Sequence, residues 1–213
     1  FTPEDFNGSS AMFSLTQNDY TKAMYPFDFK FTVRYTLKAD GITVTYRVRN
    51  DSDAEMPFCI GAHPAFATPG DMNGYRLQFL RPETAAVPNY NLETGLHEEH
   101  NRRELMKDST DLQLSHEMFY EDVCYFDKVV SRQVELLNSE NIGVRVDYPD
   151  FTSLGVWQAK DAPFLCIEPW CGSADFDDCS GVFAEKRGIE ILAPGAEKTF
   201  TYAITAVEHK AKV

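Results

Sequence analysis

The chain of 213 residues is long enough to bury a hydrophobic core, and its length favours one domain, 1–213, over two. Asp and Glu number 33 against 20 for Lys and Arg, and the formal net charge of −13 makes the average surface repel polyanions. Nucleic acid is therefore not expected as a partner, because phosphate contacts need clustered basic residues and the adjacent basic pairs here are isolated. An anionic metabolite is disfavoured for the same reason, though less strongly.

Cysteine usage indicates the redox environment. The five cysteines, at positions 59, 124, 166, 171 and 179, form an odd set without close pairing, which favours reduced thiols and a cytoplasmic location. Every apolar run is strand-sized, so we expect no membrane association.

Alternating apolar and polar residues predict two β-hairpins. The first joins 27–37 to 42–48 through the turn residues Asp40-Gly41. The second joins 132–137 to 142–146 through the polar segment 138–141. Both hairpins predict antiparallel pairing.

The rest of the chain continues the strand pattern. Further strands are predicted at 11–15, 75–80, 154–157, 164–167, 188–192 and 199–207, and one helical turn at 115–120. The charged segment 82–109 is interpreted as a long connecting loop with one short strand at most. Many short strands separated by Gly, Pro and Asn predict an all-β fold, a large antiparallel β-sandwich, rather than an α/β fold.

Glu168 is the first candidate for chemistry. It closes the apolar run 163–167 and precedes Pro169. Apolar surroundings raise the pKa of a carboxyl group towards neutrality, where Glu can accept and return protons. The alternative is a structural carboxylate that hydrogen-bonds loop amides.

His63 has the same context, because it ends an apolar run and precedes Pro64. We expect each proline to end its strand, so that His63 and Glu168 share one edge or face of the sheet as an acid and base pair. The alternative is a histidine with a purely structural role.

Two segments, 61–66 (GAHPAF) and 164–175 (FLCIEPWCGSAD), resemble the signature segments of the aldose 1-epimerase (galactose mutarotase) family, in particular its bacterial LacX-like branch. The segments 154–157 (LGVW) and 25–27 (YPF), and the turn Pro194-Gly195, also fit that branch. The resemblance extends over essentially the whole chain. It implies the β-sandwich of the galactose mutarotases and a monosaccharide as the small-molecule partner.

The resemblance also implies roles for individual residues. His63 would protonate the ring oxygen of a hexose, and Glu168 would remove the proton from its anomeric hydroxyl, without a cofactor or a metal. Asp122 falls where the family has an aspartate that hydrogen-bonds sugar hydroxyls; its alternative is a solvated acid in an acidic loop. Trp170 is predicted to be a wall of the pocket and Trp157 to be in the core.

Two other groups of residues receive structural interpretations. Asp175 is predicted to stabilise its loop by hydrogen bonds to nearby amides. A metal cluster could be drawn from His97 and His100 with Glu98, Glu99 and Glu104, but two histidines in a hydrophilic segment are more often solvated surface.

The family pattern has further parts. It includes an arginine and a first histidine, the latter in a His-Gly-Phe segment whose Phe corresponds to Phe1. The resemblance therefore implies either that residues 1–213 are the C-terminal two-thirds or more of the family's fold, or a shortened member with a weakened site. Three other functions stay open: a non-catalytic carbohydrate-binding or sensing protein, a hexose-6-phosphate 1-epimerase, and a glycoside hydrolase, which usually needs two carboxylates.

Overall fold

A computed structural model describes residues 1–210, which contain sixteen β-strands, one short α-helix and three 3₁₀ helices. The strands are β1 (Thr2–Asn7), β2 (Ser10–Thr16), β3 (Phe29–Leu37), β4 (Gly41–Asn50), β5 (Met56–Phe58), β6 (Ile60–Gly61), β7 (Ala65–Ala67), β8 (Tyr75–Asn91), β9 (Leu96–Gln113), β10 (Cys124–Phe126), β11 (Gln133–Asn138), β12 (Ile142–Asp147), β13 (Ser153–Trp157), β14 (Phe164–Cys171), β15 (Glu190–Leu192) and β16 (Glu197–Glu208). The helices are α1 (Asp19–Met24) and the 3₁₀ helices Met72–Gly74, His116–Phe119 and Phe183–Glu185.

The larger sheet has nine antiparallel strands in the order β1-β2-β3-β4-β16-β12-β11-β8-β9. Both predicted hairpins, β3–β4 and β11–β12, are confirmed and lie within it. Strand β16 joins them, because it pairs with β4 on one side and with β12 on the other. The prediction of an all-β, antiparallel fold is therefore confirmed.

The smaller sheet carries the candidate site. Its order is β10-β13-β14-β6, and β7 also pairs with β14. Strands β6 and β7 therefore lie end to end along the same side of β14, separated by residues 62–64. Strand β5, which precedes β6 in sequence, pairs with β15 in a separate two-stranded ribbon.

Side chains of both sheets pack together in the hydrophobic core. Phe79 of β8 contacts Phe126 of β10, with ring centroids 5.5 Å apart. Phe58 and Phe151 both contact Phe200 of β16, at 6.1 and 5.7 Å. Burial of such rings removes apolar surface from water, which stabilises the fold by about 25 cal/mol per Å². This packing holds the smaller sheet in place against the larger one.

The prediction of a long loop at 82–109 is wrong. Strands β8 and β9 continue through this segment as one long hairpin that turns at Asn91–Gly95. The Asn91 side chain accepts hydrogen bonds from the amides of Glu93 and Thr94, and Gly95 has φ of 73°. The pairing of β8 with β9 has four register shifts, which interrupt the two-residue alternation. For this reason the sequence pattern alone did not indicate strands.

The helical content is small, as predicted, but the structure has helices beyond the predicted turn. The turn predicted at 115–120 is confirmed as the 3₁₀ helix His116–Phe119. Helix α1 was not predicted; Asn18 and Thr21 begin it with reciprocal side-chain to backbone hydrogen bonds. Among the described residues, no helix has the length and apolar character needed to cross a membrane.

Candidate active site

Strand β14 separates core residues from cleft residues by its alternation. Leu165, Ile167 and Cys171 belong to the hydrophobic core. Glu168 and Trp170, on the opposite face, line an open cleft. Glu168 is nevertheless only 2% exposed, so the strand places a carboxyl group at the buried floor of the cleft.

His63 lies across the sheet from Glu168. The pairs Trp170–Gly61 and Cys166–Ala65 share one register, and continuing it between them sets His63 opposite Glu168. His63 Nε2 is 3.4 Å from Glu168 Oε1. The His63 side chain is 62% exposed and that of Glu168 3%, so the histidine stands at the mouth of the cleft above the carboxylate.

Pro169 does not end β14, contrary to the prediction, whereas the strand before Pro64, β6, ends at Gly61. Strand β14 runs through Pro169 to Cys171. Ala62 N–H donates to Pro169 O at 3.0 Å and Ile167 N–H donates to Pro64 O at 3.1 Å. Proline lacks an N–H, so the backbone pairs on either side of His63 and Glu168 each have one hydrogen bond where two are usual. The prolines thus loosen the ladder around the pair without interrupting β14.

Burial raises the pKa of Glu168 from its ordinary value of 4.5 to about 7. The negative charge of Asp122 contributes to this rise, and a hydrogen bond from the Trp170 side chain opposes it. At neutral pH the carboxyl group therefore exchanges readily between its protonated and ionised forms, as general acid–base catalysis requires.

Asp122 approaches the site from the loop after the 3₁₀ helix His116–Phe119. Its φ of 88° is in the left-handed region, which aspartate tolerates better than most residues. The turn is closed by a hydrogen bond from Asp122 N–H to Phe119 O. With His63, Glu168 and Trp170, Asp122 lines a cavity of about 280 Å³, so the structure brings all four predicted site residues together.

Trp170 lies flat between two glycines. A Cβ atom added to Gly61 would be 2.5 Å from Trp170 Cδ1, and one added to Gly155 would be 2.8 Å from Trp170 Cζ2. Both glycines are cross-strand neighbours on the cleft face, Gly61 opposite Trp170 and Gly155 opposite Glu168. Their missing side chains therefore make room for an indole surface beside the carboxylate.

Trp157 also lines this cavity, which differs from its predicted place in the core. It is half-buried, and its ring meets that of His63 edge to face with centroids 5.9 Å apart. Trp157 pairs with Cys166, and Gly155 pairs with Glu168. Trp157 therefore lies two residues along β13 from the partner of Glu168, on the same face of the sheet. This position comes from the sheet register, and the sequence alone gave no signal of it.

His97 was predicted to be solvated surface, but the structure buries it completely. It stacks on Tyr125, with centroids 4.8 Å apart, and packs against Tyr90 and Phe176. Neither ring nitrogen has a hydrogen-bond partner among the described residues, and burial lowers the pKa of His97 to about 4. His97 also borders the 280 Å³ cavity, and the charged residues around it in the sequence gave no signal of this.

The cluster drawn around His97 and His100 is not assembled. Among the described residues, the group of three or more metal-ligating side chains that converges is His63, Cys166 and Glu168. Asp175 does not cap nearby amides as predicted; its carboxylate accepts a hydrogen bond from Lys186 Nζ at 2.7 Å. Its carbonyl accepts from His97 N–H, which ties the loop after β14 to β9.

Comparison with known proteins agrees with this geometry. Residues 2–205 match the family described as aldose 1-epimerase. The chain is 31% identical over 212 residues to "Protein LacX, chromosomal" of Lactococcus lactis subsp. lactis, covering 96% of this chain and 71% of that protein. The plasmid-encoded LacX of the same organism matches equally.

Solved structures show the same fold. The structure of a galactose mutarotase related enzyme from Lactobacillus acidophilus superimposes with a TM-score of 0.89 at 28% identity, over 99% of this chain and 73% of that one. A galactose mutarotase-like protein from Lactobacillus casei gives 0.84 at 23% identity, over 97% and 73%. The match over nearly the whole chain, in sequence and in fold, shows that this chain belongs to the aldose 1-epimerase family.

Proposed function

We propose that this protein is an aldose 1-epimerase that interconverts the α and β anomers of a neutral hexose. The observation that carries the proposal is the pairing of His63 with Glu168 across β14, with 3.4 Å between Nε2 and Oε1, in a chain of this family. Glu168 acts as the base and His63 as the acid.

The reaction requires a base and an acid that are neighbours. Ring opening removes a proton from the anomeric hydroxyl and delivers one to the ring oxygen, and both oxygens are bonded to the same carbon. Glu168 accepts the first proton and His63 donates the second. After the open aldehyde rotates about its first carbon–carbon bond, ring closure reverses both transfers. Each transfer contributes about 10²- to 10⁴-fold to the rate.

The surrounding residues would bind the sugar. Asp122 would accept hydrogen bonds from sugar hydroxyls, and the indole of Trp170 would support the apolar face of the ring. The pKa of about 7 at Glu168 supports its role as a base, because proton transfer is most efficient near the working pH.

Ion pairing favours a neutral sugar over a phosphorylated one. Lys186 and Arg187 belong to the loop after β14, which borders the cleft. Lys186 is paired with Asp175 at 2.7 Å, and Arg187 is paired with Glu99 and Asp178. A phosphate would have to displace these carboxylates, which disfavours a hexose-6-phosphate 1-epimerase.

Polarimetry of freshly dissolved aldoses tests the proposal. Replacement of Glu168 by Gln is expected to slow mutarotation by about 10²- to 10⁴-fold while sugar affinity, measured by calorimetry, changes little. Glu135→Gln is a matched control, since Glu135 is also buried but bonds His209 and Arg145 away from the cleft.

Each alternative function has its own result. Sugar binding without faster mutarotation by the unaltered protein would indicate the carbohydrate-binding function. A preference for hexose 6-phosphates would indicate the sister epimerase. Because Asp122 and Glu168 place two carboxyl groups in one cavity, an aryl glycoside is added to the assay, and its cleavage would indicate a hydrolase.

A further inference from the structure

Cys166 completes a group of three metal-ligating side chains with His63 and Glu168. It lies two residues before Glu168 in β14 and therefore on the same face of the strand. A ring nitrogen of His63, Cys166 Sγ and a carboxylate oxygen of Glu168 all lie within 4.8 Å of one another. We infer that these three residues form a binding site for a zinc ion.

The distances fit zinc coordination. Zinc binds nitrogen and oxygen ligands at about 2.0–2.2 Å and sulfur at about 2.3 Å in tetrahedral geometry. Two such N and O ligands are then separated by roughly 3.4 Å, which is close to the 3.4 Å between His63 Nε2 and Glu168 Oε1. Ligand pairs that include sulfur are separated by roughly 3.6 Å, so Cys166 Sγ needs a shift of about 1 Å at most.

Two of the three ligands are buried and the third is exposed. Glu168 and Cys166 are 2% and 1% exposed and are held in the central strand of the smaller sheet. The exposed His63 side chain is free to adjust, and it leaves the ion a way in from the cleft. His63 and Glu168 both line the cleft, so a fourth ligand would reach the ion from there, as in zinc sites that exchange a bound ligand.

The donor set determines which ion is preferred. A thiolate and an imidazole favour zinc over magnesium or calcium, which prefer oxygen ligands. Binding converts the Cys166 thiol to a thiolate, and its proton leaves to solvent. The site is therefore expected to respond to zinc and cobalt and not to magnesium.

Zinc at this position would occupy both His63 and Glu168. Resting on the function proposed above, zinc is expected to inhibit mutarotation reversibly and in competition with the sugar, because the ion withholds both proton-transfer groups. Binding itself does not depend on that function.

Metal titration tests the site directly. We would use the protein with the exposed Cys59 and Cys179 changed to Ser, freed of metal by chelation, and titrate it with zinc by calorimetry and with cobalt by absorption spectroscopy. The expected result is one ion per chain, with the near-ultraviolet charge-transfer band of a cobalt–thiolate bond. Cys166→Ser should abolish that band, whereas Cys124→Ser, at another buried cysteine, should retain it.

His63→Ala provides a variant that should fold, because the His63 side chain is largely exposed. It is expected to weaken zinc binding at least tenfold. Unchanged zinc affinity in both His63→Ala and Cys166→Ser, or equal binding of magnesium, would overturn the zinc site. If the metal-free protein fails to accelerate mutarotation, the proposed function fails, while the titration still decides the zinc site.

Discussion

His63 Nε2 and Glu168 Oε1 lie 3.4 Å apart although one side chain is largely in solvent and the other is buried. This distance exceeds that of a strong charge-assisted hydrogen bond, about 2.7–2.9 Å, so the two side chains are not held together by such a bond. The His63 ring is open to solvent, whereas the Glu168 carboxylate forms the buried floor of the cleft. The difference in burial accounts for the raised pKa of Glu168, which supports its proposed role as the base.

The raised pKa of Glu168 predicts a pH dependence of activity. The base must be ionised, so kcat/KM for mutarotation in chelator-containing buffer should fall about tenfold per pH unit below pH 7. Polarimetry between pH 5 and 9 measures this fall, which is the acidic limb of the pH profile. An activity that stays constant down to pH 5 would contradict the assignment of Glu168 as the base.

The same shift predicts a dependence of stability on pH. The folded state holds the Glu168 proton more tightly than the unfolded state, so this group's contribution to stability is full below pH 4.5 and is lost as the pH rises towards 7. The loss is on the order of 3 kcal/mol. Glu168→Gln, which cannot ionise, should therefore resist urea better than the unaltered protein at pH 8, with little difference at pH 4.5.

The negative charge of Asp122 is predicted to raise the pKa of Glu168. Asp122→Asn removes that charge and keeps a residue that tolerates positive φ, so the acidic limb of the pH profile should move to lower pH. Asp108→Asn, at another aspartate with positive φ (46°), is the control and should leave the limb in place. A limb unmoved by Asp122→Asn would show that burial alone raises this pKa.

Gly155 is predicted to be required for the position of Trp170. Gly155→Ala would bring a Cβ atom within 2.8 Å of the indole and should lower kcat/KM by up to about 10²-fold, because a displacement of about 1 Å in a positioning group costs that much. Tryptophan fluorescence should change with it. Gly74→Ala is the control, since its Cβ would meet nothing within 4 Å. Equal activity of the two variants would exclude this role of the glycine.

His97 is predicted to lower stability in acid. Its pKa of about 4 in the folded state lies below the ordinary 6.5, so its contribution to stability is present above pH 6.5 and is lost as the pH falls towards 4. His97→Phe keeps an aromatic ring and removes two buried nitrogens without hydrogen-bond partners, which cost about 1–3 kcal/mol each when buried. The variant should unfold at higher urea than the unaltered protein at pH 5, by circular dichroism; a less stable variant would show that the imidazole fits this cluster better.

Local pattern was sufficient wherever strands are regular. The β3–β4 and β11–β12 hairpins pair without a register shift, so alternation and turn residues predicted them. It failed along β8 and β9, where bulges shift the phase of the alternation and charged residues cover the strands. The burial of His97 was missed for a further reason: it depends on Tyr125 and Phe176, which come from distant parts of the chain.

The candidate site divides in the same way. The sequence by itself determined that Glu168 and His63 follow apolar runs, that prolines flank them, and that the motifs are those of one family, because these are properties of neighbouring residues. Only the tertiary structure decided that the two face each other in one register, that Asp122 and Trp157 join them, and that Cys166 Sγ lies within 4.8 Å of a ligating atom of each. The physical reason is that strand pairing and sheet packing bring together residues that are far apart in the chain, such as His63 and Glu168, and no local pattern specifies those contacts.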